Sequence, residues 1–242
     1  MNEVKFVFQR NEMKYLLNTE QFRGMERLTE KYMRPDDYSK YTIGNVYFDT
    51  EHFDLIRNSI EKPVYKDKLR LRCYGVPKNS DPVFLEIKKK FKGVVGKRRM
   101  QFTAEDLYMY MNYAVLPPNA DSQIFRELDY FISYYKPQPK VYLAYDREAF
   151  ASDAEAELRV TFDRDIRYRT DDLDVRHGDR GELLLPPGKY LMEIKALGSI
   201  PLWMSRALGE MEIYPASFSK IGEIYKKEKL FNGTEEKRCL KV

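Results

Sequence analysis

Residues Lys68-Leu69-Arg70-Leu71-Arg72-Cys73-Tyr74 alternate charged and apolar side chains with a period of two. In an extended chain successive side chains leave opposite faces. Lys68, Arg70 and Arg72 therefore share one face of a strand, and Leu69, Leu71 and Cys73 share the other. One face meets a core and the other meets water or a polar ligand.

The same alternation recurs along the chain. Residues 84–90 set Glu86, Lys88 and Lys90 against Leu85 and Ile87. Residues 6–15 align Arg10, Glu12 and Lys14, and residues 142–149 carry Tyr145 and Arg147. Residues 157–163 oppose Glu157, Arg159, Thr161 and Asp163 to Leu158, Val160 and Phe162, and residues 191–195 set Glu193 and Lys195 opposite Met192 and Ile194. Between these strands lie amphipathic helices. Asn18 with Gln21 resembles a capping box before Phe22, Met25, Leu28 and Tyr32, and Arg34-Pro35 stops that run. Thr103 with Asp106 opens a second helix, Ile124, Leu128, Phe131 and Tyr135 mark a third ended by Pro137, a short one covers 202–208 before Gly209, and Ser219 begins a last one through Ile221, Ile224 and Phe231. Lys92-Gly93-Val94-Val95-Gly96 reads as a hairpin connection between two basic strands, and the polar stretch 170–189 as a long surface loop.

Composition bounds the function. At 242 residues the chain is long enough for a full core, and without repeats or linkers the expectation is one domain over 1–242. With 43% hydrophobic and 33% charged residues it is globular and not disordered. A net charge of +4 is too small to argue for a polyanion partner, so that argument must come from where the charges sit. Cys73 and Cys239 have no zinc or redox spacing, and His52 and His177 have no catalytic spacing. There is no P-loop, dinucleotide-binding or nucleophile-elbow motif. The first ten residues carry no apolar signal region and no run approaches the roughly 18 apolar residues of a membrane span, so the expectation is a cytoplasmic protein without an intrinsic membrane segment, open to a membrane-protein partner.

On the charged strand faces ten basic residues (Arg10, Lys14, Lys68, Arg70, Arg72, Lys88, Lys90, Arg147, Arg159, Lys195) stand against five acidic ones (Glu12, Glu86, Glu157, Asp163, Glu193). On any one strand this is what a solvent face looks like. Across six strands the shared cationic face points to phosphate, which Arg grips as a fork and Lys as a point charge. If helices cover the apolar faces of a closed sheet, the charged faces line its interior and need a wet, anionic ligand. Glu193 beside Lys195 is the candidate ligand for Mg2+ or Mn2+, with Glu12 and Asp163 behind it, whereas cross-strand ion pairing is the better reading of Glu12, Glu86 and Glu157. Ser219 is an N-cap whose helix terminus, beside Lys220, favours an anion.

Taken in order, Arg10-Asn11-Glu12-Met13-Lys14-Tyr15, Tyr47-Phe48-Asp49-Thr50, Lys68-Leu69-Arg70-Leu71-Arg72, Phe84-Leu85-Glu86-Ile87-Lys88, Lys97-Arg98-Arg99, Tyr145-Asp146-Arg147, Leu158 to Asp163, Glu193-Ile194-Lys195 and Ser217-Phe218-Ser219-Lys220 resemble the VTC-domain polyphosphate polymerases of the triphosphate tunnel (CYTH-like) superfamily. The resemblance implies an α+β fold, a closed eight-stranded antiparallel β-barrel with helices packed outside. It also implies transfer of the ATP γ-phosphate to a growing inorganic polyphosphate chain with Mn2+ or Mg2+. It assigns Arg70, Arg72, Lys88, Arg147, Arg159 and Lys195 to catalysis, Arg10, Lys14, Lys90, Arg98, Ser219 and Lys220 to substrate binding, and Glu193 to the metal. One departure is informative: hydrolytic and cyclase branches open with Glu-x-Glu-x-Lys, and here the first position is Arg10. The alternatives are a triphosphatase of the same superfamily, or a non-catalytic polyanion-binding module. Nucleic acid is not the expected partner, because most of the 19 tyrosines fall at core-like spacing rather than interleaving with the basic residues.

Overall fold

The computed structural model describes residues 10–61, 64–92, 94–118, 120–153 and 158–228. Residues 6–9, Gly93, Glu157, Phe231 and Cys239, and the side chain of Arg10, lie outside them.

The strands are β1 (Arg10–Leu17), β2 (Arg34–Asp49), β3 (Tyr65–Tyr74), β4 (Pro82–Phe91), β5 (Val94–Thr103), β6 (Gln138–Ala151), β7 (Arg159–Arg169), β8 (Glu182–Leu183) and β9 (Tyr190–Leu197), and the six alternating runs fall in β1, β3, β4, β6, β7 and β9. Helices are α1 (Thr19–Tyr32), α2 (Asp54–Ile60), α3 (Ala104–Tyr113), α4 (Gln123–Tyr135) and α5 (Leu202–Glu210), and residues 220–228 are also helical. Among the described residues no helix is long and apolar enough to cross a membrane.

The hydrogen-bonded order is β1-β9-β7-β6-β2-β3-β4-β5, with β8 on β7. This corrects the expected closed barrel of eight strands. Among the described residues the sheet has nine strands and is open, with β1 and β5 as its end strands. A local cause is visible at β1. Its outer edge is taken by a non-strand segment, in which Pro215 bridges Tyr15 and the Ala216 amide donates to the Lys14 carbonyl at 2.7 Å. Proline has no N–H to donate, so a ladder cannot continue through that point.

The chain divides into two compact units, Met1–Tyr41 with Tyr145–Ile166 and Leu185–Phe218, and Thr42–Ala144 with Arg167–Leu184 and Ser219–Val242. In the first, β9 pairs with β1 and with β7. Tyr15, Leu17, Val160, Phe162, Met192 and Ile194 form its apolar face and pack with Phe22 and Met25 of α1 and Met204 and Leu208 of α5. Both halves of the capping box at Asn18 and Gln21 are made, at 2.9 and 3.0 Å, which starts α1 where the sequence says it should.

In the second unit β3 lies between β2 and β4, and β4 pairs with β5. Leu69, Leu71, Cys73, Leu85, Ile87, Met100 and Phe102 pack against Leu107 and Tyr110 of α3 and Phe125, Leu128 and Phe131 of α4. Thr103 caps α3 through the Asp106 amide at 3.0 Å, and Ser122 caps α4 through the Phe125 amide at 3.1 Å. The polar loop after β7 is tightly bonded. Arg169 sits under it, its guanidinium 3.7 Å from the centre of the Tyr142 ring, and donates to the carbonyls of Asp172, Asp174, Gly178 and Arg180.

Candidate functional site

Each unit turns one charged sheet face away from its helices. In the second unit β3, β4 and β5 carry Lys68, Arg70, Arg72, Lys88, Lys90, Lys97 and Arg99 on that face, around the single carboxylate of Glu86. Register makes the crowding worse. Lys68 faces Lys88, which faces Lys97, and Lys66 faces Lys90. Like charges directly opposite one another destabilise a sheet. This face therefore carries more positive charge than its one carboxylate balances.

Glu86 organises part of it. It is 1% exposed and accepts from Arg70 Nε at 2.7 Å, with Lys97 Nζ 2.7 Å and Arg99 Nε 3.4 Å away as ion-pair partners. Burial alone would raise its pKa, but the charges of Arg70 and Arg72 and the hydrogen bonds from Lys97 and Arg70 outweigh burial and hold it down at about 2. The expected ion-pair role of Glu86 is what the geometry has. Arg72 differs from Arg70: its Nε donates to a neutral acceptor, Asn45 Oδ1 at 3.1 Å, and Asn45 is itself fully buried and anchored to the Leu143 carbonyl at 3.2 Å. Tyr47 lies beside Arg70, with its hydroxyl 3.4 Å from Arg70 Nη1. Burial raises the phenol, but Arg70 and Lys68 pull it the other way, to about 8. Arg98 is on the opposite face, paired to Glu127 of α4 at 2.9 Å, so the structure does not bring it to the cationic cluster.

Ser219 is the N-cap, accepting from the Gly222 amide at 3.3 Å, and Lys220 opens the helical stretch that follows.

The first unit's face is balanced rather than cationic. Glu12 faces Lys195, which faces Arg159; Lys14 faces Glu193, which faces Thr161. Lys14 Nζ lies 3.6 Å from Glu12 and 3.5 Å from Glu193, and donates to the Phe218 carbonyl at 3.1 Å. Lys195 reaches Glu12 at 3.9 Å. Arg147 grips Asp163 with two bonds of 2.6 and 2.8 Å and stands 3.6 Å from Glu193. Burial works against the Arg147 charge, but Asp163, Tyr145 and Glu193 more than offset it and raise the pKa. Arg159 is held by Asp36 at 2.6 Å, a partner that no local pattern foretells. Thr161 buries its hydroxyl with no hydrogen-bond partner among the described residues. Among those residues no group of three or more His, Cys, Asp or Glu is placed to hold a metal.

A family model for the VTC domain matches residues 9–227. The chain belongs to the VTC domain family. Similar solved structures include an adenylate cyclase candidate from Bacillus halodurans, 14% identical with a TM-score of 0.53, covering 87% of this chain and 95% of that one. Another is an adenylyl cyclase candidate from Hippeastrum, described as having a dominant triphosphatase activity, 13% identical with a TM-score of 0.52, covering 89% of this chain and 95% of that one. At such identities the likeness carries the fold and not the chemistry.

Sequence reasoning left three residues of this VTC domain without a role. Lys97 and Arg99 were legible as a basic pair, and the register now sets them on the face of Glu86. Asn45 gave no sequence signal, because its importance lies in a bond to Arg72, which is 27 positions away.

Proposed function

We propose that this VTC domain is an ATP-dependent polyphosphate polymerase, transferring the ATP γ-phosphate to a growing inorganic polyphosphate chain. The observation that carries the reading is the cationic face of β3, β4 and β5, where lysines oppose lysines in register around one carboxylate. A phosphate chain carries a negative charge at each repeat and matches such rows. Arg72 and Lys88 bind phosphate oxygens, Arg70 is oriented by Glu86 and Tyr47, and Lys90 extends the row. The other unit has, by itself, a second set of candidate phosphate ligands in Lys14, Lys195 and Arg159, set by Glu12, Glu193 and Asp36. Ser219 and Lys220 contribute the helix N-terminus. In the reaction a terminal oxygen of the chain forms the new bond to the γ-phosphorus, the bond to the β–γ bridging oxygen breaks, and ADP leaves. The attacking oxygen is already ionised, so no general base is required, and the lack of a histidine in either cluster is no obstacle.

A divalent metal, Mn2+ or Mg2+, fits the donor chemistry. Glu193 and Glu12 supply hard carboxylate oxygens, and Thr161 an unpartnered hydroxyl opposite Glu193. These are fewer ligands than such an ion takes, so phosphate and water would complete its shell. When bound it would neutralise charge developing on the transferred phosphoryl group. Glu193→Gln keeps the shape and removes the charge. It is expected to abolish metal-dependent turnover while leaving triphosphate binding in place; normal turnover at limiting Mn2+ would move the metal role elsewhere.

Triphosphatase activity is the second reading, favoured by the activity described for the similar Hippeastrum protein. Incubating the pure protein with ATP and Mn2+ separates the two. A phosphate polymer accompanied by ADP supports the polymerase, ADP with free orthophosphate and no polymer supports the hydrolase, and binding without turnover leaves a polyanion-binding module.

A further inference from the structure

The β4–β5 hairpin ends in large apolar side chains that pack into no core. Ile87, deeper in the same strand, is 0% exposed, whereas Phe91 is 52%, Val94 62% and Val95 49% exposed. The apolar surface continues past the tip. The Phe91 ring lies 6.5 Å from Tyr65, Tyr65 and Tyr135 share the buried Asp67 carboxylate, and Tyr135 lies 4.8 Å from Tyr134, which stacks on Tyr130 at 6.1 Å. Tyr130 and Tyr134 are 70% and 68% exposed. Basic residues border this strip: Lys92 follows Phe91 in the chain and Lys89 lies two positions before it, Lys92 Nζ stands 5.5 Å from the centre of the Phe91 ring, and Lys136 caps the end of α4.

We propose that this VTC domain docks on anionic bilayer surfaces through the hairpin tip and the tyrosine face of α4. Apolar side chains at a turn can enter the acyl boundary at small backbone cost, since β4 is paired on both sides up to Phe91 and only the outer edge of the end strand β5 keeps unpaired ladder groups, which must stay at headgroup level. Tyrosine rings, apolar in body and polar at the tip, suit the headgroup layer, and the lysines are drawn to anionic lipid. A second copy of the chain is the poorer occupant, because Lys89, Lys92 and Lys136 would meet their own likes. The proposal is independent of the polymerase reading, since none of the tip residues it uses belongs to the phosphate-binding set.

Flotation with vesicles tests it. The full chain is expected to float with phosphatidylcholine–phosphatidylserine vesicles and not with phosphatidylcholine alone. The double variant Phe91→Ser/Val94→Ser is expected to bind at least about tenfold more weakly, the order expected for losing two buried apolar side chains, while binding triphosphate as the parent does. Excess triphosphate in the flotation buffer separates the tip from the cationic sheet face: binding that persists supports the tip, and binding that disappears assigns lipid to the sheet face and overturns the proposal. Failure of the parent to float, or flotation undiminished in the double variant, overturns it as well. Tyr130→Ser/Tyr134→Ser, which lies off the hairpin, is expected to weaken flotation independently.

Discussion

Arg72→Ala is expected to lower polymer synthesis about 10²- to 10³-fold, the usual cost of removing one preorganised donor from a phosphoryl-transfer site, and to lower the melting temperature by only a few degrees, the cost of stranding the Asn45 amide oxygen. The reasoning rests on what Arg72 touches. It hydrogen-bonds the neutral Asn45 amide oxygen and the Tyr74 phenol, and the buried Glu86, which its charge also helps hold ionised, keeps Arg70 and Lys97 as direct partners when Arg72 is removed. Removing it also relieves the field on a face where lysines already oppose lysines. Arg70 gives a less clean test, because Glu86 is 1% exposed and would lose its two-toothed partner. The measurement is kcat/KM for ATP consumption and polymer formation beside a thermal melt. Full activity in the Arg72 variant would remove the cationic face from the reaction.

The contrast between Arg72 and Arg70 marks what a sequence can and cannot tell. Period-two alternation identified the faces at Lys68–Arg72, Glu86–Lys90, Arg159–Asp163 and Glu193–Lys195, since side-chain direction in a strand is a local property. Capping residues placed α1 and α3 for the same reason: Asn18 with Gln21 and Thr103 with Asp106 act over three positions. What was not legible depends on pairing at a distance. Helix α2 was missed because its cap is the Asp49 carboxylate, which accepts from the Leu55 and Ile56 amides at 2.9 Å from the end of the preceding strand. The extent of β2 was missed because Arg34-Pro35 reads as a stop, and it does end α1, but it also opens the strand, where an early proline costs little. Openness of the sheet could not be read either, since it turns on Pro215 meeting Tyr15 across 200 positions. Above all, the strand faces looked alike. Only register showed that one unit's face is a cationic row and the other's a set of closed ion pairs.

Arg147 carries the opposite expectation to Arg72. Although its position in the Tyr145-Asp146-Arg147 motif marks it for phosphate, its guanidinium is already spent on Asp163, through bonds of 2.6 and 2.8 Å, with Glu193 a further 3.6 Å away. Both partners are buried, Arg147 at 9% exposure and Asp163 at 0%. Arg147→Ala takes from the buried Asp163 carboxylate the arginine that bonds it twice, which costs about 3–5 kcal/mol. For a chain of this length that lowers the melting temperature by roughly 6–20 °C. Asp163→Asn should fall in the same direction by leaving the arginine only Glu193, 3.6 Å away, as its counter-charge. The double variant Arg147→Met/Asp163→Leu, which removes both charges at similar volume, should recover most of the loss, because a desolvated ion pair gives little net stability over apolar packing. Thermal melts of the three variants decide the point. If Arg147→Ala melts like the parent yet makes no polymer, the ion pair is dispensable for the fold, and the arginine belongs with the groups that grip phosphate.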